Sequence, residues 1–316
     1  MSDAALSVLG LEVRFLVGAP RRWLRAVDDV CFSIDPGETL GLVGESGSGK
    51  STLARALLRL VPAAAGTVRF RGEDLLRLRG PALRRMREHA QIIFQDPLAS
   101  LDPRMTVGRI IEEPLREFRP RLESDARRRR VLGMMERVGL LPIHLHRYPH
   151  EFSGGQAQRI GIARALMLEP ELLVCDEPIS ALDVSIKSQI ANLLKDLQQQ
   201  FNLTVLFIAH DLGAVRFSCD RILVLYLGRV MEIAPRESLF ANPRHPYTRA
   251  LLNSVPIPDP GRIRRESPLS GEIPSPLSPP SGCRFRTRCA IAVARCEEEV
   301  PQLRPVGDSQ VACHRA

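Results

Sequence analysis

The spacing of apolar residues predicts short strands over the first 80 residues. Four segments combine apolar residues with flanking turn residues, as half-buried strands do. They are LSVLGLEVRF from residue 6, VDDVCFSI from 27, ETLGLVG from 38 and GTVRFRG from 66. The third leads through a glycine-rich loop into KSTLARALLRLV, from residue 50, whose apolar residues recur at helical spacing. We therefore predict a strand, a loop and a helix in direct succession.

The pattern from residue 80 onwards predicts the rest of an α/β domain. Residues 80–165 are rich in arginine and mostly helical in pattern, with breaks near Pro97, Pro114 and Pro149. Strands and helices then alternate: LLVCDEP, SIKSQIANLLKDLQQQF, LTVLFIAH and RILVLYLG begin at residues 172, 185, 203 and 221. Apolar strands that alternate with helices are typical of a largely parallel sheet.

The composition changes after about residue 236. The segment VPIPDPGRIRRESPLSGEIPSPLSPPSG, residues 255–282, is rich in proline and serine and is typical of an extended linker. We therefore predict two regions, an α/β domain over residues 1–240 and a C-terminal region over residues 241–316.

A phosphate-binding motif lies between the third strand and the first helix. GESGSGKST matches G-x-x-x-x-G-K-[ST] in the strand-to-helix context that this motif requires. Its backbone amides and the positive end of the helix can point at a triphosphate. Lys50 is predicted to contact the β- and γ-phosphates, and Ser51 to bind Mg²⁺. The predicted nucleotide-binding residues are Gly44, Glu45, Ser46, Gly47, Ser48, Gly49, Lys50, Ser51 and Thr52.

Two carboxylates follow the apolar strand that begins at residue 172. Asp176 is predicted to hold Mg²⁺, directly or through water, and Glu177 to polarise the attacking water. Phosphoryl transfer requires little from a protein beyond positioning and charge neutralisation. With the phosphate-binding motif upstream, this strand end indicates hydrolysis of a nucleoside triphosphate.

The charge and the overall composition narrow the class of partner. The 316 residues carry a formal net charge of +8, and the pI is about 9.5, which favours an anionic partner such as nucleotide, nucleic acid or a membrane surface. Aromatic residues make up only 5%, which is few for stacking on single-stranded nucleic acid. The sequence has no apolar stretch of membrane-spanning length and no secretory signal pattern, so we expect a cytosolic protein.

Four of the seven cysteines lie in the last 34 residues, with the spacing C-x5-C-x6-C-x16-C. Four thiols in a cytosolic tail favour a metal site over two disulfides. Tetrahedral zinc is chemically possible, but the tight C-x2-4-C pairs of structural zinc sites are missing. An iron–sulfur cluster and free thiols remain open alternatives. The residues are Cys283, Cys289, Cys296 and Cys313.

The stretch FSGGQ, residues 152–156, resembles the signature motif of the ATP-binding cassette (ABC) family. That resemblance implies that Ser153, Gly154, Gly155 and Gln156 act on ATP bound to a partner protomer. It also implies a P-loop NTPase fold, with an antiparallel β subdomain, a helical subdomain over about residues 80–165 and an ABC nucleotide-binding domain over residues 1–240.

Other motifs follow in the family's order. Gln95 in IIFQDP resembles the Q-loop glutamine, which senses Mg²⁺ and the γ-phosphate, and His210 in FIAHD resembles the switch histidine that contacts the γ-phosphate. Asp183 in SALD resembles the D-loop aspartate. The family stacks an aromatic residue on adenine, and Phe15 is the predicted one, with Trp23 as the runner-up.

Two further stretches, FQDPLASLDPRMTVGRIIEEPL and NPRHPYTRALLNSVP, resemble the ATPases of oligopeptide/dipeptide importers, more the DppF/OppF than the DppD/OppD type. This resemblance implies a DppD/OppD-like second cassette, two permease subunits and an external binding protein. It also implies a peripheral place on the cytoplasmic face of the inner membrane. Among metals, it favours a [4Fe–4S] cluster over zinc for the four cysteines, as part of a metal-stapled C-terminal extension.

A different class, a soluble ABC ATPase that acts on nucleic acid or ribosomes, would suit the basic charge. Such proteins usually carry two cassettes, long coiled coils or zinc-finger insertions, and the sequence shows none of these. A regulatory cassette without enzymatic activity would predict damage at Glu177 or His210, and both are present. The sequence does not identify the transported solute.

Overall fold

The computed structural model describes residues 4–180, 182–210, 212–254 and 271–316. The described residues divide between two compact units, the first within residues 4–34, 39–76, 209–210, 212–254 and 271–316 and the second within residues 35–38, 77–180 and 182–208. The first unit contains β1 (Leu6–Val17), β2 (Arg22–Ile34), β3 (Thr39–Val43), α1 (Lys50–Leu57), β4 (Ala65–Phe70) and β5 (Glu73–Asp74). The second contains α2 (Gly80–His89), β6 (Ala90–Ile93), α3 (Val107–Phe118), α4 (Ser124–Arg137), α5 (Gly154–Leu166), β7 (Leu172–Asp176), α6 (Val184–Phe201) and β8 (Thr204–Ile208). The first unit resumes with α7 (Leu212–Ser218), β9 (Arg221–Tyr226), β10 (Arg229–Pro235), α8 (Arg236–Ala241), α9 (Pro246–Ser254), α10 (Arg295–Glu298), β11 (Arg304–Val306) and β12 (Ser309–Val311).

An antiparallel sheet of strand order β2-β1-β4-β5 forms one layer of the first unit. Its central strand β1 alternates buried and more exposed positions, as a strand with one face on the core does. Leu6, Val8 and Val13 point into the core and are fully buried. The four strands predicted before residue 80 are confirmed, and three of them belong to this sheet.

The first unit also contains five strands in the order β11-β12-β10-β9-β3. β3 and β9 are parallel, and both are almost entirely buried. Beyond β9 the pairing becomes antiparallel, through β10 to β12 and β11. The C-terminal residues thus extend the sheet that contains β3, and the boundary predicted after residue 240 falls inside this unit.

The second unit combines three parallel strands, β6, β7 and β8, with helices. β7 and β8 are buried along their whole length, which explains their uninterrupted apolar sequence. Helices α3, α4 and α5 pack on one another and supply most of the region predicted as helical. The predicted α/β class is confirmed.

None of the helices in the described part of the chain is long and apolar enough to cross a membrane.

Candidate functional site

The phosphate-binding motif forms the loop that joins β3 to α1, and two of its glycines are required by close backbone approach. Gly44 has φ 157°, and a Cβ there would lie 2.2 Å from the carbonyl oxygen of Leu225. Gly49 has φ 106°, and a Cβ would lie 2.2 Å from the carbonyl oxygen of Ala26. A side chain at either position would force the loop away from the strands beneath it.

The side chain of Lys50 lies inside this loop. Its Nζ donates to the carbonyl oxygens of Gly44, at 2.8 Å, and Glu45, at 3.0 Å. Lys50 is also the first residue of α1, whose N-terminus has no side-chain cap among the described residues. An uncapped helix start wrapped by loop amides is a favourable place for phosphate oxygens. Ser51, the predicted magnesium ligand, follows in the first turn.

Residues from far along the chain hold Glu45 of this loop. Its backbone N–H donates to Tyr247 Oη at 2.9 Å, and its carboxylate accepts two hydrogen bonds from Arg288. Neither residue was among the predicted site residues. Tyr247 lies in NPRHPYTR and Arg288 in the arginine-rich tail, and no sequence pattern near either residue indicated a contact with the phosphate loop.

In the second unit, the structure brings together two predicted catalytic residues. Glu177 directly follows the buried Asp176 at the end of β7, and Gln95 Nε2 donates to Glu177 Oε2 at 3.0 Å. Glu177 has φ 48°, an unusual conformation for a residue with a side chain. Its N–H donates to the carbonyl of Ile208 at 3.2 Å, and its carbonyl accepts the Ser180 hydroxyl at 3.0 Å. Hydrogen bonds to both the backbone and the side chain of Glu177 therefore fix the position of its carboxylate.

FSGGQ forms the start of α5. Ser153 is the N-cap: its Oγ accepts the N–H of Gln156, and Gln156 Oε1 accepts the N–H of Ser153 at 3.1 Å. This reciprocal capping box orders the helix start. Ser153 and Gly154 are exposed, whereas Gly155 lies against Ile186 of α6.

The remaining predicted site residues lie near the ends of strands and helices. Asp183 precedes α6, and His210 is exposed just after β8. Phe15 of β1 is half-buried opposite Leu24, whereas Trp23 is 61% exposed. Their roles, and the choice between Phe15 and Trp23, stay predictions.

The four C-terminal cysteines are near one another, and all are free thiols. Burial, with a smaller contribution from the other three cysteines, raises the pKa of Cys283 to about 11. Three of the four sulfurs accept a backbone N–H from two residues ahead: Cys283 from Phe285, Cys289 from Ile291, and Cys313 from Arg315, at 3.4 Å. No group of three or more Cys, His, Asp or Glu side chains in the described ranges is arranged to hold a metal ion. The metal-stapled extension is therefore not supported by the geometry.

NPRHPYTR connects the tail to β10. The carboxylate of Glu232, fully buried in β10, accepts the N–H groups of Arg244 and His245 at 2.9 Å each. His245 Nδ1 accepts the N–H of Tyr247 at 3.0 Å, and the ring also hydrogen-bonds the backbone of Ala312. This segment consequently has a structural role: it connects β10 with the chain near Ala312. His245 stays neutral there because it is buried.

We predict a pH-dependent loss of stability from His245. Burial lowers the pKa of His245 to about 3 from the ordinary 6.5. Between these two pH values the imidazole is protonated in the unfolded chain and neutral in the folded chain. The stabilisation is complete above pH 6.5 and declines as the pH falls towards 3, by about 2 kcal/mol between pH 7 and pH 5. Denaturant unfolding at both pH values should show this fall in the native chain.

His245→Asn keeps an acceptor for the Tyr247 N–H and removes the titrating ring. Between pH 7 and pH 5, the free energy of unfolding of this variant should fall by about 2 kcal/mol less than that of the native chain. An equal fall in both proteins would contradict a buried neutral histidine.

Comparisons with known proteins agree with the motifs. Two family descriptions match: ABC transporter, over residues 27–180, and oligopeptide/dipeptide transporter, C-terminal region, over residues 231–296. The oligopeptide transport ATP-binding protein OppF of Salmonella typhimurium is 52% identical over 98% of this chain and 95% of its own length. A putative peptide import ATP-binding protein of Brucella ovis is 54% identical over 95% of this chain and 94% of its own.

Solved structures extend the similarity to three dimensions. A dimeric ATP-binding cassette in a post-hydrolysis state, bound to ADP and phosphate, covers 73% of this chain and 98% of its own at 29% identity, with a TM-score of 0.67. The cbiO1 cassette of the cbiONQ transporter complex from Clostridium perfringens covers 76% of this chain and 92% of its own at 28% identity, also with a TM-score of 0.67.

Proposed function

Because the chain belongs to the family of ABC transporter ATP-binding proteins, we propose that it hydrolyses ATP to drive the import of peptides. Relatives that match it almost from end to end are named as oligopeptide and peptide import proteins, and its C-terminal region has the matching family description. The observation that carries the ATPase is the Glu177 carboxylate, fixed by Gln95 and preceded by the buried Asp176, in a chain with an intact phosphate loop.

Ser51, Gln95 and Asp176 are the residues that would hold Mg²⁺, and Lys50 would bind the phosphates of ATP. The Lys50 ammonium already sits among loop carbonyls and can turn to the β- and γ-phosphates. The Ser51 hydroxyl and the buried Asp176 carboxylate are hard oxygen donors, which fit Mg²⁺. Bound Mg²⁺ would neutralise charge that develops on the β- and γ-phosphates.

Glu177 is the proposed general base. Its carboxylate would accept a proton from water as that water attacks the γ-phosphorus and the bond from the γ-phosphorus to the bridging oxygen breaks, which releases ADP and phosphate. Gln95 holds the carboxylate through its amide. His210, exposed after β8, would contact the γ-phosphate. Phe15 would stack on adenine, with Trp23 as the alternative.

The signature residues are proposed to act on a partner's ATP. Ser153 and Gly154 are exposed at a capped helix start, where they can meet the phosphates of a nucleotide held by a second cassette. Gly155, Gln156 and the D-loop residue Asp183 would support the same contact. The signature motif of the second, DppD/OppD-like cassette would complete the site on Lys50 in return.

A groove of about 610 Å³ in the second unit is the proposed permease contact. Apolar Ile92, Phe94 and Met105 line it together with the charged Arg109, Glu113 and Arg164. Such a mixture suits a short helix with an apolar face and charged flanks. We propose that the chain lies peripherally at the cytoplasmic face of the inner membrane, beneath two permease subunits that receive peptide from a binding protein.

Affinity purification from detergent-solubilised membranes tests this assembly. Two membrane proteins and a second cassette are expected to co-purify with the chain, and Glu113→Arg in the groove should reduce the yield of the membrane proteins. Co-purification of nucleic acid that high salt removes, without membrane proteins, would instead favour the nucleic-acid ATPase.

We also propose that the four tail cysteines hold a [4Fe–4S] cluster. Support comes from four nearby thiols, three of them hydrogen-bonded by backbone N–H groups, since such bonds tune cluster sulfurs. The three arginines between the first two cysteines do not offset thiolate charge, because Arg284, Arg286 and Arg288 pair with carboxylates elsewhere. The tight C-x2-4-C pairs of structural zinc sites are missing from the tail, so zinc is the lesser alternative.

Metal analysis of anaerobically purified protein tests the cluster. About four irons and four acid-labile sulfides per chain are expected, and Cys289→Ser should lose them. Cys31→Ser, at a cysteine outside the tail, should keep both. Stoichiometric zinc without sulfide, or no metal at all, would contradict the cluster and leave the ATPase untouched.

A further inference from the structure

The C-terminal tail contacts the phosphate loop directly. Arg288 Nη1 and Nη2 donate to the two carboxylate oxygens of Glu45 at 2.7 and 3.0 Å, a bidentate ion pair. The Arg288 side chain is 4% exposed, and the Glu45 side chain 20%. Paired and shielded from water in this way, the two charges form a much firmer contact than a surface ion pair.

A second contact holds the backbone of the same residue. Tyr247 Oη accepts the N–H of Glu45 at 2.9 Å, and the Tyr247 ring is fully buried. The ring packs against Tyr226, at 4.7 Å between centroids, and against Phe285 of the tail, at 5.3 Å. Phe285 therefore braces the tyrosine that fixes the loop.

Glu45 also contacts Lys50, the predicted phosphate-binding lysine. Its carbonyl oxygen accepts Lys50 Nζ at 3.0 Å, so its N–H, carboxylate and carbonyl are all engaged. The neighbouring loop glycines would otherwise give this segment wide conformational freedom. A loop already held in one conformation loses less entropy when phosphate binds.

The tail segment is itself anchored next to this contact. Arg284 is buried, donates to the carbonyl of Leu227 and pairs with the buried carboxylate of Asp28. Cys283 and Cys289 immediately flank the segment from Arg284 to Arg288. The segment is thus held by Arg284 on one side of Phe285 and by Arg288 on the other. The backbone that carries Arg288 is therefore fixed relative to the loop.

We propose that Arg288 and Tyr247 are positioning residues of the nucleotide site. They hold Glu45, and through it the phosphate loop and the Lys50 ammonium, in the conformation that receives ATP. Arg288 also neutralises the Glu45 carboxylate, which would otherwise repel an anionic ligand at this loop. The tail is accordingly part of the ATP site, although none of its residues needs to touch the nucleotide.

Equilibrium binding of Mg²⁺·ATP to the full-length chain tests the proposal. Arg288→Gln frees the loop and leaves the Glu45 charge unpaired, so the Kd should rise about tenfold. Adding Glu45→Gln removes that unpaired charge and should recover part of the loss. The matched control is Arg286→Gln, since Arg286 bonds Ser281 and Glu297 and does not contact the loop; its Kd should stay within about twofold of the native value.

Tyr247→Phe keeps the buried ring and removes only the hydroxyl, which separates positioning from folding. The Kd should rise about threefold to fivefold, with the melting temperature close to that of the native chain. In the assembled transporter, Arg288→Gln and Tyr247→Phe should each raise the KM for ATP more than they lower kcat. A native Kd in Arg288→Gln, or strictly additive effects of Arg288→Gln and Glu45→Gln, would overturn the proposal.

Discussion

Glu177→Gln is expected to abolish ATP hydrolysis by the assembled transporter while ATP remains bound. The amide preserves the size of the side chain and its contact with Gln95, but it cannot accept a proton from the attacking water. Loss of a general base lowers kcat by about two to three orders of magnitude. Phosphate release, measured with the purified complex at saturating ATP, should fall to near background.

Glu171→Gln is the matched control. Glu171 is exposed just before β7 and pairs with His89, away from the end of the strand that bears Glu177. Its variant should hydrolyse ATP at the native rate. A Glu177→Gln complex with more than a tenth of the native rate would show that another group takes the proton.

Lys50→Met has the second large effect, on ATP binding. The Lys50 ammonium is buried and lies between loop carbonyls, and GESGSGKST contains no second cationic side chain that could take its place near the phosphates. A charged hydrogen bond of about 1.5–3 kcal/mol is lost, which corresponds to a rise in Kd of roughly tenfold to a hundredfold. Isothermal titration of the full-length chain with Mg²⁺·ATP measures it.

Lys195→Met tests whether the loss is specific to Lys50. Lys195 lies in the interior of α6 in the second unit, and its variant should bind ATP with the native Kd. If Lys50→Met retained native affinity with an intact fold, Lys50 would not be a phosphate ligand.

Much of the fold could be predicted because its signals are local. β7 and β8 are buried on both faces and therefore read as unbroken apolar runs, and α1 follows a loop whose glycines at 44 and 49 are required by backbone contact. The family resemblance added Gln95, which hydrogen-bonds to Glu177 although the two residues are 82 positions apart in the sequence. Spacing alone could not have linked these two residues.

The contact between the tail and the phosphate loop could not be predicted. Arg288 and Glu45 are separated by 243 residues, and one arginine among many in a basic tail has no distinguishing pattern. The buried Glu232 is similar, since a carboxylate in a strand signals exposure until its two backbone donors are known. The predicted boundary after residue 240 followed from composition, whereas β12 pairs with β10 across it.

Peptide uptake into proteoliposomes that contain this chain, its partner cassette and two permeases tests the central claim most directly. With ATP on the cassette side and the binding protein on the other, labelled peptide should accumulate, and Glu177→Gln should stop it. If the native complex hydrolysed ATP but accumulated no peptide under these conditions, the proposed peptide import would be contradicted.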